Sequence, residues 1–402
     1  MIKKYLYFFE KLTIFAIIFS SCTHTRIAKT IEREEEGMIT DKTFTLYPNK
    51  HFIPAASLSE MIADVKYIPL ETSDSSAIST PINVKYENDI FYVSDIDERL
   101  YCFDKNGQFL RAAYKKGKGH GEVVRMYDFD VNSEYLYILD GSKSAIVKYD
   151  HQGNFIEEKN LPFRAIRFSL ISDGFVFQLA PFGLDNDEED YQIAITDKNY
   201  ILKHSFIKYH TVECNPVSRT PYFFRANETV VFAPIYGRSI FSISDSNDCD
   251  MAYYVDFESP YYEPSKHFNG FKEALEQELF YTYDNPLYDG RYMIQTFVPS
   301  PSQKKTLVID CKTNKYVLID SLIQDNPMLY DFNFLLTKSF SNELQCFIGF
   351  SNRYYPGIHD NEIEDIKRSK SDTVASILIN NEILYADNPL LILYRLNDIQ
   401  NL

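Results

Sequence analysis

A glycine-rich loop at residues 115–122 has the residue types best suited to binding an anion. Its sequence is Lys-Lys-Gly-Lys-Gly-His-Gly-Glu. Glycines let backbone N–H groups approach an anion closely, and the lysines add positive charge. The loop is not a P-loop, because no Gly-Lys-Ser/Thr ends it and no helix is predicted after it. We therefore predict that Lys116, Lys118 and His120 bind a ligand. The alternative is that the glycines only let the chain cross between neighbouring strands.

An acidic run at residues 185–190, Asp-Asn-Asp-Glu-Glu-Asp, offers the oxygen ligands that Ca²⁺ prefers. It lacks the glycine and the terminal glutamate of an EF-hand, so a solvated acidic loop is the simpler interpretation. The eight histidines form no His-Glu-x-x-His motif, the cysteines form no Cys-x-x-Cys pair, and no Gly-x-Ser-x-Gly motif occurs. The sequence therefore predicts no cofactor and no metal site, with Ca²⁺ at this loop kept as the alternative.

Several tyrosines are predicted to be exposed on the side of the fold that carries the long connections. A tyrosine ring offers a flat apolar face with a polar tip, which suits stacking on a sugar or anchoring a protein partner. The alternative is that these rings pack the connections against the rest of the fold. The candidates for ligand binding are Tyr261, Tyr262, Tyr288, Tyr354 and Tyr355.

A repeated hairpin must position these residues. The run FDKNGQFL at 103–110 places Asn-Gly between two apolar strands, the strongest short-range hairpin signal. Weaker copies recur along the chain, and their turn-opening aspartates are spaced by 46, 47, 48 and 65 residues. A period near 40–50 residues with four strands per unit is typical of a β-propeller blade. We predict an all-β, six-bladed β-propeller of four-stranded antiparallel blades over residues 43–402. The turn-opening residues are Asp104, Asp150, Asp197, Asp245 and Asp310.

An early strand is predicted to close the ring. The four strands of each blade are labelled A to D from the centre outward, and this count leaves the last blade without a D strand. Residues 65–70, Val-Lys-Tyr-Ile-Pro-Leu, form the one strand-like run that the count leaves unassigned. We predict that residues 61–70 pair with the strand at 390–394, because an open ring would expose two sheet edges.

The predicted connections differ in length between the two faces of the ring. A–B and C–D turns are short, whereas the long connections at 115–122, 180–190, 258–277, 299–305 and 351–388 are all B–C or D–A links. Apolar residues at helical spacing predict small helical insertions at 268–279 and 359–385. Growth on one face marks that face as the working one, since function concentrates on loops held by a rigid scaffold. We call it the long-loop face.

The N-terminus is predicted to be an export signal. Lysines precede a short apolar core at 12–19, which is too short to span a membrane. The sequence Ser-Ser-Cys then resembles a bacterial lipobox, which makes Cys22 the lipidation site. Residues 1–21 would be the signal peptide and residues 22–42 a polar tether. The formal net charge of −16 argues against a nucleic-acid partner. Cys102 and Cys346 are predicted core residues, and one disulfide among the remaining cysteines stays open.

The chain resembles the six-bladed β-propeller lipoproteins of Bacteroidetes, relatives of the NHL-repeat propellers. The motifs that carry the resemblance are VKYIPLET (65–72), FYVSD (91–95), FDKNGQFL (103–110), GKGHGE (117–122) and NPLLILYRL (388–396). The resemblance implies export and lipid anchoring to the outer membrane. Family members bound for the cell surface usually carry acidic residues directly after the cysteine. Residues 23–26 carry none, which favours the periplasmic face.

Two functions fit the sequence. The first is a non-enzymatic binding module whose long-loop face meets a glycan, a peptide or a protein partner. The second is a propeller hydrolase or lyase with a metal site in the central channel, where ligands can converge from different blades without any local motif. The side chains that line the channel would discriminate between the two.

Overall fold

A computed structural model describes residues 43–184, 191–208, 223–234, 238–245, 249–258, 281–282, 284–300, 303–325, 329, 332, 334–351 and 388–399. Three strands precede the first blade: β1 (Phe44–Leu46), β2 (Phe52–Ser57) and β3 (Ile62–Pro69). Blade 1 comprises β4 (Pro81–Glu87), β5 (Ile90–Asp95), β6 (Leu100–Asp104) and β7 (Phe109–Ala112). Blade 2 comprises β8 (Met126–Val131), β9 (Tyr135–Asp140), β10 (Ala145–Asp150) and β11 (Phe155–Asn160). Blade 3 comprises β12 (Phe163–Ile171), β13 (Gly174–Leu184), β14 (Tyr191–Asp197) and β15 (Leu202–Lys208).

The remaining three blades take strands from both ends of the chain. Blade 4 comprises β16 (Phe224–Ala226), β17 (Thr229–Phe232), β18 (Ser239–Ile243) and β19 (Asp250–Val255). Blade 5 comprises β20 (Tyr281–Thr282), β21 (Leu287–Tyr288), β22 (Tyr292–Ser300), β23 (Gln303–Asp310) and β24 (Lys315–Ile323). Blade 6 comprises β25 (Thr337–Ser341), β26 (Cys346–Phe350), β27 (Leu390–Leu396) and β3. The described part also contains one short α-helix, α1 (Leu58–Met61), and 3-10 turns at Pro48–Lys50 and Phe334–Leu336. The predicted six-bladed propeller is therefore confirmed.

The C–D turns repeat one hydrogen-bond pattern. In blade 1, Asp104 Oδ1 accepts from the backbone N–H groups of Asn106 (2.8 Å) and Gln108 (2.9 Å). Asp150 and Asp197 make the equivalent pairs of bonds in blades 2 and 3. An aspartate that bonds the backbone two residues on mimics a backbone turn, so the side chain itself fixes the hairpin. The repeat visible in the sequence is thus a repeat of turn chemistry.

Ring closure occurs as predicted. Strand β3 pairs antiparallel with β27, from Leu390 opposite Pro69 to Leu396 opposite Ile62. Asn388 secures the junction, because its Oδ1 accepts from the Ile78 N–H (2.7 Å) and its Nδ2 donates to the carbonyls of Glu71 and Ser76 (2.7 Å each). One side chain therefore ties the last strand of the chain to the segment that enters blade 1.

The N-terminal segment does more than close the ring. Strand β1 adds in parallel to β19 at the outer edge of blade 4, and β2 adds in parallel to β24 at the outer edge of blade 5. Residues 43–69 thus run along the outer edges of three successive blades as a strap. Within this segment the sequence predicted only the closing strand at 61–70, and it did not predict the two parallel strands β1 and β2.

The core lies between the blades as aromatic and aliphatic clusters. Cys102 and Cys346 are buried in two of these clusters, as predicted. Cys102, Cys311 and Cys346 are free thiols. Cys214 lies outside the described residues.

Three smaller predictions need comment. The inner strand of blade 5, predicted at 279–283, is instead two short pieces, β20 and β21, that pair with β22 at different heights. The predicted long loop at 299–305 is wrong, because β22 and β23 extend to Ser300 and Gln303 and leave a tight hairpin. The predicted helical insertions lie outside the described residues, as do residues 1–42. The A–B turns are short in all six blades and the C–D turns are short in blades 1 to 5, whereas blade 6 has no C–D turn because its outer strand is β3. The longest connections are D–A and B–C links, as predicted.

Candidate functional site

The central channel is bridged at the face opposite the long loops. There the A–B turn of blade 1 contacts its neighbours on both sides: the Asn88 N–H donates to Glu343 Oε2 and Asn88 Nδ2 donates to the Ser133 carbonyl, both at 2.9 Å. The Asn227 N–H of blade 4 donates to Asn342 Oδ1 of blade 6 at 2.9 Å. Blades 4 and 6 are not neighbours, so this last bond spans the channel. We call this end the closed end.

One buried carboxylate joins four blades inside the channel. Asp130 Oδ1 contacts Lys85 Nζ of blade 1 at 2.7 Å and Arg225 Nη2 of blade 4 at 3.0 Å. Asp130 Oδ2 accepts from Ser169 Oγ (3.1 Å) and from the Leu170 N–H (2.9 Å) of blade 3. Asp130 itself is fully buried. These five residues form a cluster that we call the Asp130 hub.

The hub keeps its carboxylate ionised. Burial by itself acts to raise the pKa of Asp130, but the charges of Arg225 and Lys85 outweigh it and hold that pKa well below its ordinary value. The backbone N–H of Leu170 acts in the same direction. The charges of the hub are therefore paired within it, although the buried Arg225 Nε has no hydrogen-bond partner among the described residues. The geometry of the hub is that of a structural joint between blades 1 to 4.

Nearer the long-loop face, the inner strands of blades 1 and 6 carry buried polar groups that make no ion pair among the described residues. Lys338, at the start of β25, is 9% exposed, and its Nζ donates to the Leu335 carbonyl at 3.0 Å. Burial lowers the pKa of Lys338, and the charge of Asp284 offsets this only in part. On the same strand the buried Ser339 hydroxyl has no hydrogen-bond partner in the part of the chain that the structure describes, and the same holds for Asn83 Oδ1 on the neighbouring inner strand.

A second carboxyl of β8 behaves unlike Asp130. Asp128 accepts from the Phe168 N–H at 3.0 Å. Burial raises the pKa of Asp128, although Arg167 and Lys85 act in the opposite direction. Two carboxyls separated by one residue on the same inner strand therefore have opposite pKa shifts, because only Asp130 makes close ion pairs with two cations.

The glycine-rich loop holds a carboxylate of its own. Glu122 Oε2 accepts from the Gly119 N–H at 2.9 Å, and Lys115 forms an ion pair with the same side chain. The Lys115 ammonium and the Gly119 N–H hold the pKa of Glu122 below its ordinary value. A Cβ at Gly117 would lie 2.0 Å from Glu122 Oε2, so the loop folds closely around this group. The Gly119 N–H, one of the loop's backbone groups predicted to face an external anion, thus donates to Glu122 instead.

The predicted ligand-binding residues of this loop lie on the surface. Lys116, Lys118 and His120 are exposed, and the His120 ring packs edge-on against Phe155, with ring centroids 4.7 Å apart. Their role in ligand binding stays a prediction.

Of the five tyrosines predicted to bind a ligand, Tyr288 lies among the described residues. Tyr288 lies at the A–B turn end of blade 5, where its hydroxyl donates to the Gly290 carbonyl at 3.1 Å. Its predicted position on the long-loop face is therefore wrong, because the inner strand of blade 5 breaks into two pieces and Tyr288 belongs to the second. Tyr261, Tyr262, Tyr354 and Tyr355 lie outside the described residues, as do the acidic loop at 185–190 and Cys22.

Sequence reasoning missed the channel residues. The charged residues near the axis all lie on inner strands, where they interrupt sequences that are otherwise largely apolar. They are Lys85, Asp130, Arg225 and Lys338. Charged residues on the A strands of several blades were the available signal, since all A strands border the same channel. Within the part of the chain that the structure describes, no three His, Cys, Asp or Glu side chains group as a metal site.

The comparisons with known proteins agree on the fold. The model of a family described as a domain of unknown function (DUF4934) matches residues 49–395. A Bacteroides fragilis protein named as a candidate exported protein superposes with a TM-score of 0.65 at 14% identity, covering 89% of this chain and 99% of that one. A DUF4221 family member from Bacteroides vulgatus gives 0.50 at 10% identity, covering 84% and 98%. No curated protein matches the chain.

An inactive variant of virginiamycin B lyase from Staphylococcus aureus superposes with a TM-score of 0.36 at 12% identity, covering 65% of this chain and 76% of that one. At that level the similarity says nothing about the activity of this chain. None of the described helices is long and apolar enough to cross a membrane.

Proposed function

The chain belongs to the DUF4934 family, and we propose that it is a non-enzymatic binding module that presents its long-loop face to a glycan, peptide or protein partner. The observation that supports this most is the asymmetry of the channel. Turn-to-turn hydrogen bonds bridge one end, and the Asp130 hub uses its charges internally. Toward the other end, Lys338, Ser339 and Asn83 retain hydrogen-bonding capacity.

The scaffold suits a binding role. A closed ring with a strap across three outer edges holds the connections of the long-loop face on rigid blades. Ligand-binding residues are commonly found on loops that a rigid scaffold positions. Lys116, Lys118 and His120 belong to one of these connections, and their exposed side chains are available to a partner at the rim of that face.

A direct test is to probe glycan and peptide arrays with the purified full chain. We expect selective binding that is lost when Lys116 and Lys118 are both changed to Ser. A matched control changes Lys105 and Lys198, which lie in C–D turns at the opposite face. Absence of binding to every array feature would contradict the proposal.

We also propose that the protein is exported and lipid-anchored through Cys22 to the periplasmic face of the outer membrane. The name of the Bacteroides fragilis protein supports export. Radiolabelled palmitate should be incorporated into the wild-type chain and not into a Cys22→Ser variant. Protease treatment of intact cells should leave the protein whole, and its removal would place it on the cell surface instead.

The alternative, a propeller hydrolase or lyase with a metal in the channel, stays a prediction. An activity screen of the purified protein with and without EDTA would test it. Hydrolysis or elimination that depends on a metal would replace the binding-module proposal.

A further inference from the structure

We propose that the protein docks on the surface of the lipid bilayer that holds its anchor through the outer edge of blades 4 and 5. The side chains that meet the lipid are those of Phe44, Phe52, Ile53 and Ile323, and we call these four residues the strap edge. This inference rests on the proposed lipid anchor at Cys22, and it adds the surface by which the anchored propeller lies against the membrane.

The strap edge concentrates exposed apolar side chains. Among the described residues, eight large apolar side chains are exposed, and the strap edge contributes four of them at 37–49% exposure. Three of the four lie on blade 5, whereas blades 1, 2 and 3 each expose one or two such side chains near a C–D turn. Blade 5 therefore has the largest exposed apolar group among the described blade edges.

The strap edge is apolar on both faces of the outermost strand of blade 5. Ile53 pairs with Ile319 of β24, and Ile323 follows an even number of residues later on the same strand, so Ile53 and Ile323 share one face of the sheet. Phe52 lies on the opposite face, where Lys305 Nζ is 5.0 Å from its ring centroid. A flat surface laid against this edge therefore contacts apolar side chains of both faces.

The part of the strap at this edge carries no carboxylate. The chain has 57 Asp and Glu residues among 402, yet residues 43–57 contain none. Lys50 lies within this segment and forms an ion pair with Glu258 at 2.9 Å, and the Lys50 side chain keeps 54% exposure, so it stays accessible to a headgroup. An anionic lipid surface repels most of a protein whose formal net charge is −16, so a segment with a cation and no carboxylate approaches it most easily.

The proposed anchor brings the strap edge to the bilayer. Residues 22–42 join Cys22 to the fold and reach at most about 70 Å when fully extended. The first described strand is β1, whose first residue Phe44 belongs to the strap edge, so the tether attaches at the docking surface itself. A tether of that length keeps the strap edge at a high effective concentration near the lipid, and weak apolar contacts are then enough to orient the propeller.

Pro54 favours a lipid surface over a protein strand as the occupant of this edge. An incoming strand would pair with the free edge of β2 through backbone hydrogen bonds, and Pro54 within β2 has no N–H group to donate. A lipid interface requires no such ladder, because it buries exposed Phe and Ile side chains at the boundary between headgroups and acyl chains.

A single introduced Trp tests the inference, because the chain contains no Trp and the fluorescence then reports on one position. The test variant is Phe52→Trp, and the matched control is Ile156→Trp, since Ile156 is 45% exposed and Phe52 is 44% exposed. Ile156 lies on the outer strand of blade 2, opposite blade 5 in the ring, and Glu157 and Glu158 follow it. Each full chain, purified with its lipid, is reconstituted into vesicles of phosphatidylethanolamine and phosphatidylglycerol with plain or brominated acyl chains.

Brominated lipid should reduce the fluorescence of Phe52→Trp by at least about twofold, because an interfacial apolar side chain lies about 5–10 Å deep at the boundary between headgroups and acyl chains. It should leave the fluorescence of Ile156→Trp unchanged. Ile53→Trp should be quenched like Phe52→Trp, and this second variant keeps the test valid if one substitution disturbs β2.

Equal quenching of Phe52→Trp and Ile156→Trp would overturn the inference, as would the absence of quenching in both strap variants. A dimer in solution that Phe52→Ser abolishes would also overturn it, because the strap edge would then be a contact between two copies. If palmitate is incorporated at Cys22 but the strap variants are not quenched, this inference fails and the lipid anchor stands. If no palmitate is incorporated, the anchor and this inference both fail.

Discussion

Replacing Asp130 by Asn should destabilise the contacts between the four blades that meet at the hub. The substitution keeps the shape of the side chain and removes its charge, which leaves Lys85 and Arg225 facing each other in the channel. Removing one partner of a buried ion pair costs about 3–5 kcal/mol. The Lys85 and Arg225 side chains retain 15% and 19% exposure, so water can compensate part of the loss. We therefore expect the free energy of unfolding to fall by about 3 kcal/mol, the lower end of that range.

The pH dependence follows from the depressed pKa of Asp130. Because folding lowers this pKa, the folded state binds fewer protons than the unfolded state, and the stabilisation is complete above about pH 4. It is lost as the pH falls from there toward the folded-state value. In Asp130→Asn this contribution is absent, so the difference in stability between the two proteins should narrow below pH 4.

Guanidinium unfolding at pH 7, 5 and 3.5 measures both effects. Asp104→Asn is a suitable control, because an asparagine oxygen can still accept the two backbone hydrogen bonds of the C–D turn. It should change stability by less than about 1 kcal/mol. A double-mutant cycle with Lys85→Met should give a coupling energy of at least about 1 kcal/mol. An unchanged unfolding midpoint for Asp130→Asn at pH 7 would refute the assignment of the hub as a structural joint.

Three further predictions concern closure, a turn and a histidine. Deleting residues 43–72 should yield aggregated or protease-sensitive protein, since it removes the outer strand of blade 6. The control deletes residues 23–42, and we expect that variant to melt at the same temperature as the full chain. Gly107→Ala should lower the free energy of unfolding by about 2 kcal/mol, measured by denaturant unfolding, because φ is +86° and the new Cβ would lie 2.0 Å from the Pro69 carbonyl oxygen. Gly153→Ala should lower it by less, because the atom nearest to the new Cβ is 3.3 Å away on the flexible Arg111 side chain. Tm should fall as the pH drops below about 6.5, because burial lowers the pKa of His151, and this slope should flatten in His151→Asn. In the neutral ring Nε2 donates to the Asn132 carbonyl at 2.9 Å, which leaves Nδ1 to accept from the Tyr92 hydroxyl at 2.7 Å.

The architecture could be predicted because its signals are local. In the C–D hairpins, an aspartate side chain accepts hydrogen bonds from backbone N–H groups only a few residues away. Each repeat can therefore be recognised from its own sequence. Closure by residues 61–70 followed from counting those repeats. Strands β1 and β2 could not be found in this way. They pair in parallel with the outer edges of blades 4 and 5, and no hairpin turn motif adjoins them that could have predicted them from the sequence.

The sequence by itself determined which strands exist and that the ring closes, because alternation and turn chemistry act between residues near in the chain. Only the tertiary structure decided which charges meet. Arg225 reaches Asp130 across the channel from a blade that is not its neighbour, although 95 positions separate the two residues. Lys338 makes no close ion pair with a described residue, although the charge of Asp284 acts on it. Whether a cation on an inner strand meets a carboxylate depends on the width of the ring and on the height of each side chain within it, and no local pattern encodes either quantity.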